Sequence, residues 1–289
     1  MGKIRFTVAI SAYNIEAYVK RAIDSVLNQT FTDYELLVID DCSKDNTVQI
    51  IEESLNGKGI ILKTIKNSGT AAASRNIAID NAQGEYLFFL DGDDELYSKD
   101  TLKEVDKLIK DNTYDIVYLG YENVGKTENY YRISNKENST RKARLICDES
   151  FSVSSKVWNV KFLRENNLKF NEGMYYEDEL FSIKSNILAK VTTFGEFPIF
   201  KYHRNREGSV MTKPTIKKCS DWYRMLAEVT ELYEITPKED RKYFLSFLKN
   251  ENDSIPLRIR VVLEALAEHE NTKVLPKRKY KYEDFFEND

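Results

Sequence analysis

Three carboxylates that follow an apolar run are the first feature of this sequence that could do chemistry. Residues 86–90 are all apolar or aromatic, which is typical of a strand buried on both faces of a parallel sheet. The run ends in Asp91, Gly92, Asp93 and Asp94. Carboxylates this close together repel one another unless a cation lies between them. The pattern therefore predicts a cation site at the end of a buried strand.

The geometry of an extended chain favours a divalent metal at this site. Residues two apart on a strand point the same way, so Asp91 and Asp93 can converge on one ion. Gly92 between them has no side chain to block a close ligand. Mg²⁺ and Mn²⁺ prefer oxygen ligands, usually one or two carboxylates completed by waters and substrate phosphates. We therefore predict that Asp91 and Asp93 bind Mn²⁺ or Mg²⁺ and that Gly92 lines the bound ligand.

Three other interpretations of the acidic run were weighed. Asp-Gly is a common hairpin turn, but a turn needs one acid and no apolar strand before it. A calcium loop is excluded because Leu96 and Leu102 stand where its sharp-turn Gly and bidentate Glu belong. A phosphotransferase would use Asp91 as nucleophile and Asp93 as acid. That alternative stays open, although Glu95 stands where such an enzyme would have Thr or Val.

Length and composition bound the class of protein. The chain has 289 residues, 42% of them hydrophobic, which suits one large α/β domain or one domain with an appended piece. The net charge of −4 gives no basic field, so we expect no nucleic-acid partner. The three cysteines form no CxxC pair, and the N-terminus lacks a secretory apolar segment. Both observations favour a reducing, cytoplasmic location.

Apolar periodicity predicts four strands that alternate with three helices in the first third of the chain. The predicted strands are residues 6–10, 35–39, 60–65 and 86–90. The predicted helices between them are residues 15–27, 48–55 and 70–82. This alternation predicts a parallel, doubly wound α/β sheet with flanking helices. Ligands bind beyond the carboxyl ends of the strands in such sheets.

Polar residues follow each of the four predicted strands at this edge. They are Ser11, Tyr13 and Asn14, then Asp40 and Asp41, then Asn67 and Arg75, then Asp91, Asp93 and Asp94. A helix cap explains Asn14 equally well. The chain has neither GxGxxG nor GxxxxGK[ST], so a bound phosphate must be held mainly by metal, with help from Arg75.

A second acidic cluster lies far along the chain. Glu177, Asp178 and Glu179 precede an apolar pattern with rough helical spacing, so we expect them in the first turn of a helix. Acids there complement the helix dipole, and this structural explanation stays as open as a functional one. The neighbours of His203 alternate as in a strand, which favours a surface or core position for this residue over metal binding.

Together these motifs resemble the inverting nucleotide-sugar glycosyltransferases of family 2, which have the GT-A fold. The resemblance covers about the first 210 residues and is carried by residues 11–14, 40–45, 67–69 with 74–76, 89–94 and 176–178. Five motifs in this order and at these spacings are highly specific. The resemblance implies a GT-A domain over residues 1–212, with a nucleotide-binding half (1–97) and an acceptor-side half (98–212). A helical C-terminal extension would follow over residues 213–289.

The resemblance also implies roles for individual residues. Those expected around the donor are Ser11, Tyr13, Asn14, Asp41, Asn67, Arg75, Asp91 and Gly92. Asp41 would accept the uracil N3 proton, and Tyr13 would stack on the base. Asp91 and Asp93 would form the metal-binding DxD motif, and Asp178 would be the catalytic base. His203 would lie in a basic segment that approaches the metal or the diphosphate.

The activity implied is metal-dependent, inverting transfer of a sugar from UDP-hexose or UDP-N-acetylhexosamine to a hydroxyl of a glycan or lipid-linked glycan. Such a reaction serves the assembly of cell-surface or capsular polysaccharides and glycoconjugates. A metal neutralises the nucleoside diphosphate that leaves, and a carboxylate takes the proton of the attacking hydroxyl. Two alternatives from other classes remain, the phosphotransferase and a non-catalytic sugar-nucleotide sensor with the same fold.

The C-terminal third carries no motif and is interpreted from composition. Helices are predicted over residues 216–235, 238–250 and 255–269, and one apolar stripe is Tyr223, Leu226, Val229 and Tyr233. Such stripes predict packing on the domain or on a second copy in a homodimer. A basic run, 277–281, would attract the chain to the anionic inner face of a membrane, but the acids that follow it favour a solvated tail.

Overall fold

The computed structural model describes residues 4–67, 69–125, 130–132, 152–203 and 216–241. The chain divides into two compact units, Met1–Arg206 and Glu207–Asp289. The predicted domain boundary at residue 212, the predicted helix 255–269 and the basic run 277–281 lie outside the described residues.

Strands and helices alternate in the first half of the first unit. The strands are β1 (Phe6–Ala12), β2 (Tyr34–Asp40), β3 (Ile60–Lys63) and β4 (Tyr86–Asp91), and the helices are α1 (Val19–Leu27), α2 (Thr47–Leu55) and α3 (Ala72–Asn81). The four strands lie in the order β3-β2-β1-β4, and every neighbouring pair is parallel. The predicted parallel sheet is confirmed for this half. The carboxyl ends of the four strands therefore meet at one edge.

Both faces of this sheet are covered, because successive side chains on a strand point to opposite faces. Val8 of β1 and Phe88 of β4 belong to a core cluster that includes α1 and α2. Their neighbours Ala9 and Phe89 belong to a second cluster that includes α3. The uninterrupted apolar run of β4 follows from this double burial.

The second half of the first unit completes a mixed sheet. Its elements are β5 (Glu95–Leu96), α4 (Thr101–Leu108), β6 (Ile116–Val124), β7 (Tyr130–Arg132), β8 (Lys156–Asn159), α5 (Val160–Glu165), α6 (Glu177–Leu188) and β9 (Thr192–His203). The sheet continues from β4 through β8, β6 and β9 to β5, and β7 pairs with β6. Strand β8 is antiparallel to both β4 and β6, so its first residue, Lys156, lies toward the carboxyl end of β4. The run of parallel strands from β3 thus ends at β4, and further along the sheet β6 and β9 again pair in parallel.

The second unit contributes α7 (Ile216–Glu231) to the described residues. Its buried apolar residues are Trp222, Met225 and Val229, whereas Tyr223 is 38% exposed. The predicted stripe of Tyr223, Leu226, Val229 and Tyr233 is therefore confirmed at Val229 and wrong at Tyr223. The reason is that Trp222 and Met225, which were left out, offer a large apolar surface without a phenol hydroxyl. In the part of the chain that the structure describes, no helix has the length and apolar composition to cross a membrane.

Candidate active site

A buried carboxylate, Asp41, lies just beyond β2 and is held by two neutral donors. Its Oδ1 accepts a hydrogen bond from the Thr64 hydroxyl at 2.5 Å, and its Oδ2 accepts one from the Asn67 amide at 2.9 Å. Asp41 is only 4% exposed. A carboxylate carries acceptor sites, so Asp41 can bind a ligand through a donor N–H. Asp41 and Asn67 thus meet at the edge where the nucleoside is predicted.

The loop after β1 reaches the same edge. Ser11 pairs with Asp91 across β1 and β4, and Tyr13 is 40% exposed, which leaves its ring accessible to a planar ligand. The Asn14 backbone N–H donates to the Ser43 hydroxyl at 3.0 Å, and Asn14 Oδ1 accepts the backbone N–H of Lys44 at 2.8 Å. Asn14 therefore joins the loops after β1 and β2, and α1 begins without a side-chain cap.

Gly92 closes the end of β4 against β1. Its backbone N–H donates to the carbonyl oxygen of Ser11 at 2.9 Å. A Cβ at this position would lie 2.4 Å from Ile15 and 2.8 Å from the Ser11 oxygen. The close approach of the two strand ends therefore requires glycine here for packing, independently of any ligand.

Negative charge is concentrated beyond β4. Asp94 is 1% exposed, and its Oδ1 accepts the backbone N–H of His203 at 2.9 Å. The pKa of Asp94 lies well above its usual value, first because burial disfavours the carboxylate and then because Asp91 and Asp93 repel it. Arg21 donates to the backbone oxygen of Asp93. An added cation would stabilise this group of acids.

His203 ends β9, as its alternating neighbours predicted. Its Nε2 lies 3.0 Å from Glu95 Oε1, so its ring is engaged by that carboxylate. Across the described ranges, no group of three or more His, Cys, Asp or Glu side chains is arranged to hold a metal. The metal-binding role of His203 stays a prediction.

The chemistry of Asp91 and Asp93 fits a hard divalent ion. Such an ion takes one or two carboxylates from the protein and its other oxygens from a diphosphate and water. The Asp91 side chain is 37% exposed, which leaves it accessible from the ligand edge. These two carboxylates are the residues that would hold Mn²⁺ or Mg²⁺.

Arg75 joins the two acidic clusters. Its guanidinium donates to Asp91 Oδ1 at 3.1 Å and to Glu177 Oε1 at 3.3 Å. The Arg75 side chain is 7% exposed and lies over the Phe170 ring at 5.4 Å. The structure therefore brings together the end of β4, the middle of α3 and the first turn of α6. Asp178 follows Glu177 directly.

Burial and charge act against each other in this group. Burial alone would lower the pKa of Arg75, but the charges of Asp91, Glu177 and Asp178 outweigh it and raise that pKa. The pKa of Glu177 is raised to about 7, first by burial and then by the charge of Asp178, while Arg75 opposes the rise. Arg75 is therefore a permanent cation between two acidic clusters.

Asp178 stands in the first turn of α6, as predicted, and is partly exposed. Its Oδ1 accepts the backbone N–H of Glu179 at 3.0 Å. Tyr176 before it has φ of 65°, a left-handed conformation that is uncommon for residues other than glycine. Among the described residues, Asn14 and Cys42 beside the site share this feature, and so do Asn56 and Asn167 away from it.

Three residues around the site have roles that the sequence did not predict. Thr64, which orients Asp41, lies near the carboxyl end of a predicted strand. Because ligands bind at that edge of the sheet, its role could have been predicted. Glu177, the partner of Arg75, is adjacent to Asp178, but no local signal says which acid faces the guanidinium. Lys156 is 1% exposed, and its burial depends on the tertiary fold alone.

Comparison with known proteins bears on this geometry. A model of the family described as Glycosyl transferase family 2 matches residues 7–191. The chain is 28% identical over 231 residues to the poly(ribitol-phosphate) beta-N-acetylglucosaminyltransferase TarS of Staphylococcus aureus, an alignment that covers 77% of this chain and 39% of TarS. The chain thus spans well under half the length of this relative.

Two solved structures are similar in fold. The crystal structure of S. aureus TarS 1-349 in complex with UDP-GlcNAc has a TM-score of 0.66 at 22% identity, covering 91% of this chain and 85% of that one. The mannosyltransferase PcManGT from Pyrobaculum calidifontis, in complex with GDP-Man and Mn²⁺, has a TM-score of 0.63 at 16% identity, covering 96% and 78%. The first unit has the GT-A fold of these proteins. Because the family match spans most of the sheet and both acidic clusters, the chain belongs to glycosyl transferase family 2.

Proposed function

We propose that this protein transfers a sugar from a UDP-sugar to a hydroxyl of a glycan, with inversion at the anomeric carbon. The contact of Arg75 with both Asp91 and Glu177 is the observation that carries the proposal. Arg75 thereby links Asp91, which is suited to bind a metal and a diphosphate, to the helical turn that carries Asp178. Asp178 is the carboxylate suited to act as a base. A donor bound at Asp91 would therefore present its sugar near Asp178.

Asp41 and its neighbours support a uridine nucleotide. Thr64 and Asn67 orient the Asp41 carboxylate, and a carboxylate is a suitable acceptor for an imide N–H such as that of uracil. The exposed Tyr13 ring can stack on a base. Since TarS has been crystallised with UDP-GlcNAc, UDP-N-acetylhexosamines are the first donors to test and UDP-hexoses the second.

Asp91 and Asp93 would hold Mn²⁺ or Mg²⁺. A bound divalent ion supplies Lewis-acid neutralisation of the diphosphate that leaves. Arg75 adds a fixed charge on the same side, because its guanidinium stays protonated beside Asp91. The Mn²⁺ complex of PcManGT supports a metal in this fold.

Asp178 would take the proton of the acceptor hydroxyl as that hydroxyl attacks. Its partial exposure makes it accessible to an acceptor, and Glu177 beside it is turned to Arg75. Two adjacent acids thereby have separate tasks. Direct attack by the hydroxyl gives a single displacement, and a single displacement inverts the configuration.

The acceptor is proposed from chemistry and from the relative. TarS acts on poly(ribitol-phosphate), so polyol-phosphate hydroxyls are the first acceptors to test, followed by lipid-linked glycans of cell-surface polysaccharides. We propose that the protein meets such acceptors in the cytoplasm, at the inner face of the membrane, because its cysteines favour a reducing compartment.

The residues after Lys213 are proposed to serve acceptor choice or self-association. Arg224 lies on the exposed face of α7 in an ion pair with Glu228 at 3.1 Å. Arg224→Glu should lower transfer to the acceptor several-fold and spare hydrolysis of the donor by water. Lys161→Glu, which also breaks an exposed i,i+4 pair but in the first unit, is the matched control. Equal loss of transfer and hydrolysis with Arg224→Glu would refute the assignment.

Product analysis on a panel of UDP-sugars tests the proposed function. The full chain is incubated with UDP-GlcNAc, UDP-GalNAc, UDP-glucose or UDP-galactose, with Mn²⁺, Mg²⁺ or EDTA. Release of UDP, and of a β-linked product from an α-configured donor, is expected. Release of inorganic phosphate would indicate the phosphotransferase instead. Tight nucleotide binding without turnover on any acceptor would indicate the sensor.

A further inference from the structure

The lead segment, residues 170–176, runs directly into α6 and is held on α3 by the side chain of Asn76. Asn76 Oδ1 accepts the backbone N–H of Phe170 at 2.8 Å, and Asn76 Nδ2 donates to the backbone carbonyl oxygen of Phe170 at 2.9 Å. The same Nδ2 donates to Glu172 Oε1 at 3.1 Å. A primary amide can do this because it carries a donor and an acceptor side by side. Asn76 thus satisfies both backbone groups of Phe170.

The ring of Phe170 connects this contact to α6. It stacks on the ring of Phe181 of α6, with centroids 3.8 Å apart and an angle of 9° between the rings. Phe89 of β4 meets both rings edge-on, at 5.5 and 6.5 Å. All three side chains are buried, and a close-packed interior transmits the displacement of one ring to its neighbours. Phe181 lies nearly one helical turn after Asp178. The place of Phe170 on α3 therefore bears on the place of Asp178.

The residue before Asn76 on α3 makes a second contact with the same region. Arg75 donates to Glu177 Oε1 at 3.3 Å, and its guanidinium carbon lies 5.4 Å from the centroid of the Phe170 ring. Within the lead segment, Gly173 and Tyr176 have left-handed backbone conformations, with φ of 71° and 65°. Neither a helix nor a strand repeats such conformations, so side-chain contacts help to set the path of the segment. Neighbouring residues of α3 thus hold both the beginning of the lead segment and the first residue of α6.

We propose that Asn76 is a positioning residue for Asp178, which fixes Phe170 on α3 and thereby sets where α6 begins. The inference rests on the proposed role of Asp178 as the base. Arg75, next to Asn76 on the same helix, bonds to Asp91 at the donor edge. Successive residues of α3 therefore face the donor edge and the segment that leads to the base. Helix α3 sets the separation of the two, and Asn76 is its contact on the side of the base.

The kcat for UDP release tests the proposal in the full chain, with UDP-GlcNAc, Mn²⁺ and a polyol phosphate as acceptor. Asn76→Ala removes both hydrogen bonds to Phe170, so the start of α6 can shift, and kcat is expected to fall about 10- to 100-fold. The Kd for UDP, measured by calorimetry, should change less than about twofold, because the residues of the donor edge are intact. Asn76→Asp keeps an acceptor for the Phe170 N–H and should lose less kcat than Asn76→Ala. It replaces Asn76→Ala in the double-mutant cycle if circular dichroism shows that the alanine variant does not fold.

The double-mutant cycle separates positioning of the base from a purely structural role. An Asp178→Asn background has no carboxylate to position, so the substitution of Asn76 should lower kcat there by less than about twofold. Asn81→Ala is the matched control, because Asn81 is an exposed amide on the same helix, donates to the Ile77 carbonyl oxygen at 2.8 Å, and should leave kcat unchanged.

Three results would overturn the proposal for Asn76. They are an unchanged kcat in both Asn76 variants, an equal fold loss of kcat in the two backgrounds, and a loss of UDP affinity as large as the loss of kcat. Full activity of Asp178→Asn by itself overturns the proposed base, and with it the task assigned to Asn76. A collapse of Asp178→Asn together with an equal loss in both backgrounds overturns the role of Asn76 alone.

Discussion

The two acidic clusters of the site differ in where their counter-charge comes from. The strand cluster, residues 91–94, follows β4, and the helix cluster, residues 177–179, opens α6. The helix cluster has the helix dipole, Arg75 and Lys156 beside it, all supplied by the fold. The strand cluster shares Arg75, and the pKa of its buried Asp94 stays well above the usual value. Similar runs of acids therefore suit different chemistry, a ligand cation in one case and a base in the other.

Removal of the divalent ion should have the largest effect, because it acts on the strand cluster and not on the helix cluster. We predict that excess EDTA, or Asp93→Asn, lowers turnover to background and weakens UDP-sugar binding, because the strand cluster then lacks its external cation. The fold should persist, as judged by circular dichroism. Asp111→Asn, at an exposed acid outside the site, is the control and should leave turnover unchanged. Full turnover in EDTA would contradict the distinction.

Loss of the base should come next in size. Asp178→Asn is nearly isosteric but cannot take a proton, so we predict a fall in kcat of roughly 10²- to 10⁴-fold with donor affinity little changed. Glu179→Gln removes a charge from the same helical turn and should cost less than a few-fold. If the two variants lose equal activity, the helix cluster serves only the helix dipole.

Both clusters could be located from the sequence, but the contact between them could not. Five apolar residues before Asp91 predict a buried strand, and the apolar spacing after Asp178 predicts a helix that begins at the acids. Those are local patterns. The Arg75 contact to Glu177 joins residues 102 positions apart, and only the tertiary fold brings them together.

The sequence also did not predict which acid faces Arg75 or that Lys156 is buried. Glu177 and Asp178 are adjacent, and which one faces Arg75 depends on the angle at which α6 begins, set by the left-handed Tyr176. Lys156 is a lysine in a mixed stretch, and nothing local predicts that β8 is central to the sheet. In α7 the helix and the burial of Val229 are as predicted, but the buried face includes Trp222 and Met225 and leaves Tyr223 exposed.

Asp41 extends the comparison to a carboxylate that accepts hydrogen bonds from two neutral side chains, Thr64 and Asn67. Thr64→Val removes the hydroxyl 2.5 Å from Asp41 Oδ1, and a hydrogen bond to a charged group contributes about 1.5–3 kcal/mol. We predict that the dissociation constant for UDP, measured by calorimetry, rises by about tenfold with kcat little changed. Thr7→Val is the control, because the Thr7 hydroxyl bonds to Glu35 Oε1 at 2.5 Å near the opposite end of β1. An equal effect of both variants would show that only general stability was lost.

The buried Lys156 should also lower the stability of the fold when it is charged. The pH dependence of that loss of stability is the finest test of the comparison. Burial lowers the pKa of Lys156 in the folded protein to about 7, whereas the ordinary pKa of a lysine is 10.5. Between these values the unfolded chain binds more protons, so the wild-type free energy of unfolding rises with pH across that window. Lys156→Met lacks this dependence. The variant should therefore exceed the wild type in Tm at pH 6 by a few degrees, about 2–4 °C for each kcal/mol, and the difference should shrink by pH 9. Tyr118→Phe is the control, because it removes the hydrogen bond from the Tyr118 hydroxyl to Asn186 Oδ1 of α6 and leaves Lys156 in place. Its difference in Tm from the wild type should not change with pH. If the Tm difference between Lys156→Met and the wild type is also independent of pH, then a charge on Lys156 does not destabilise the fold. The helix cluster would then depend on Arg75 and the helix dipole alone.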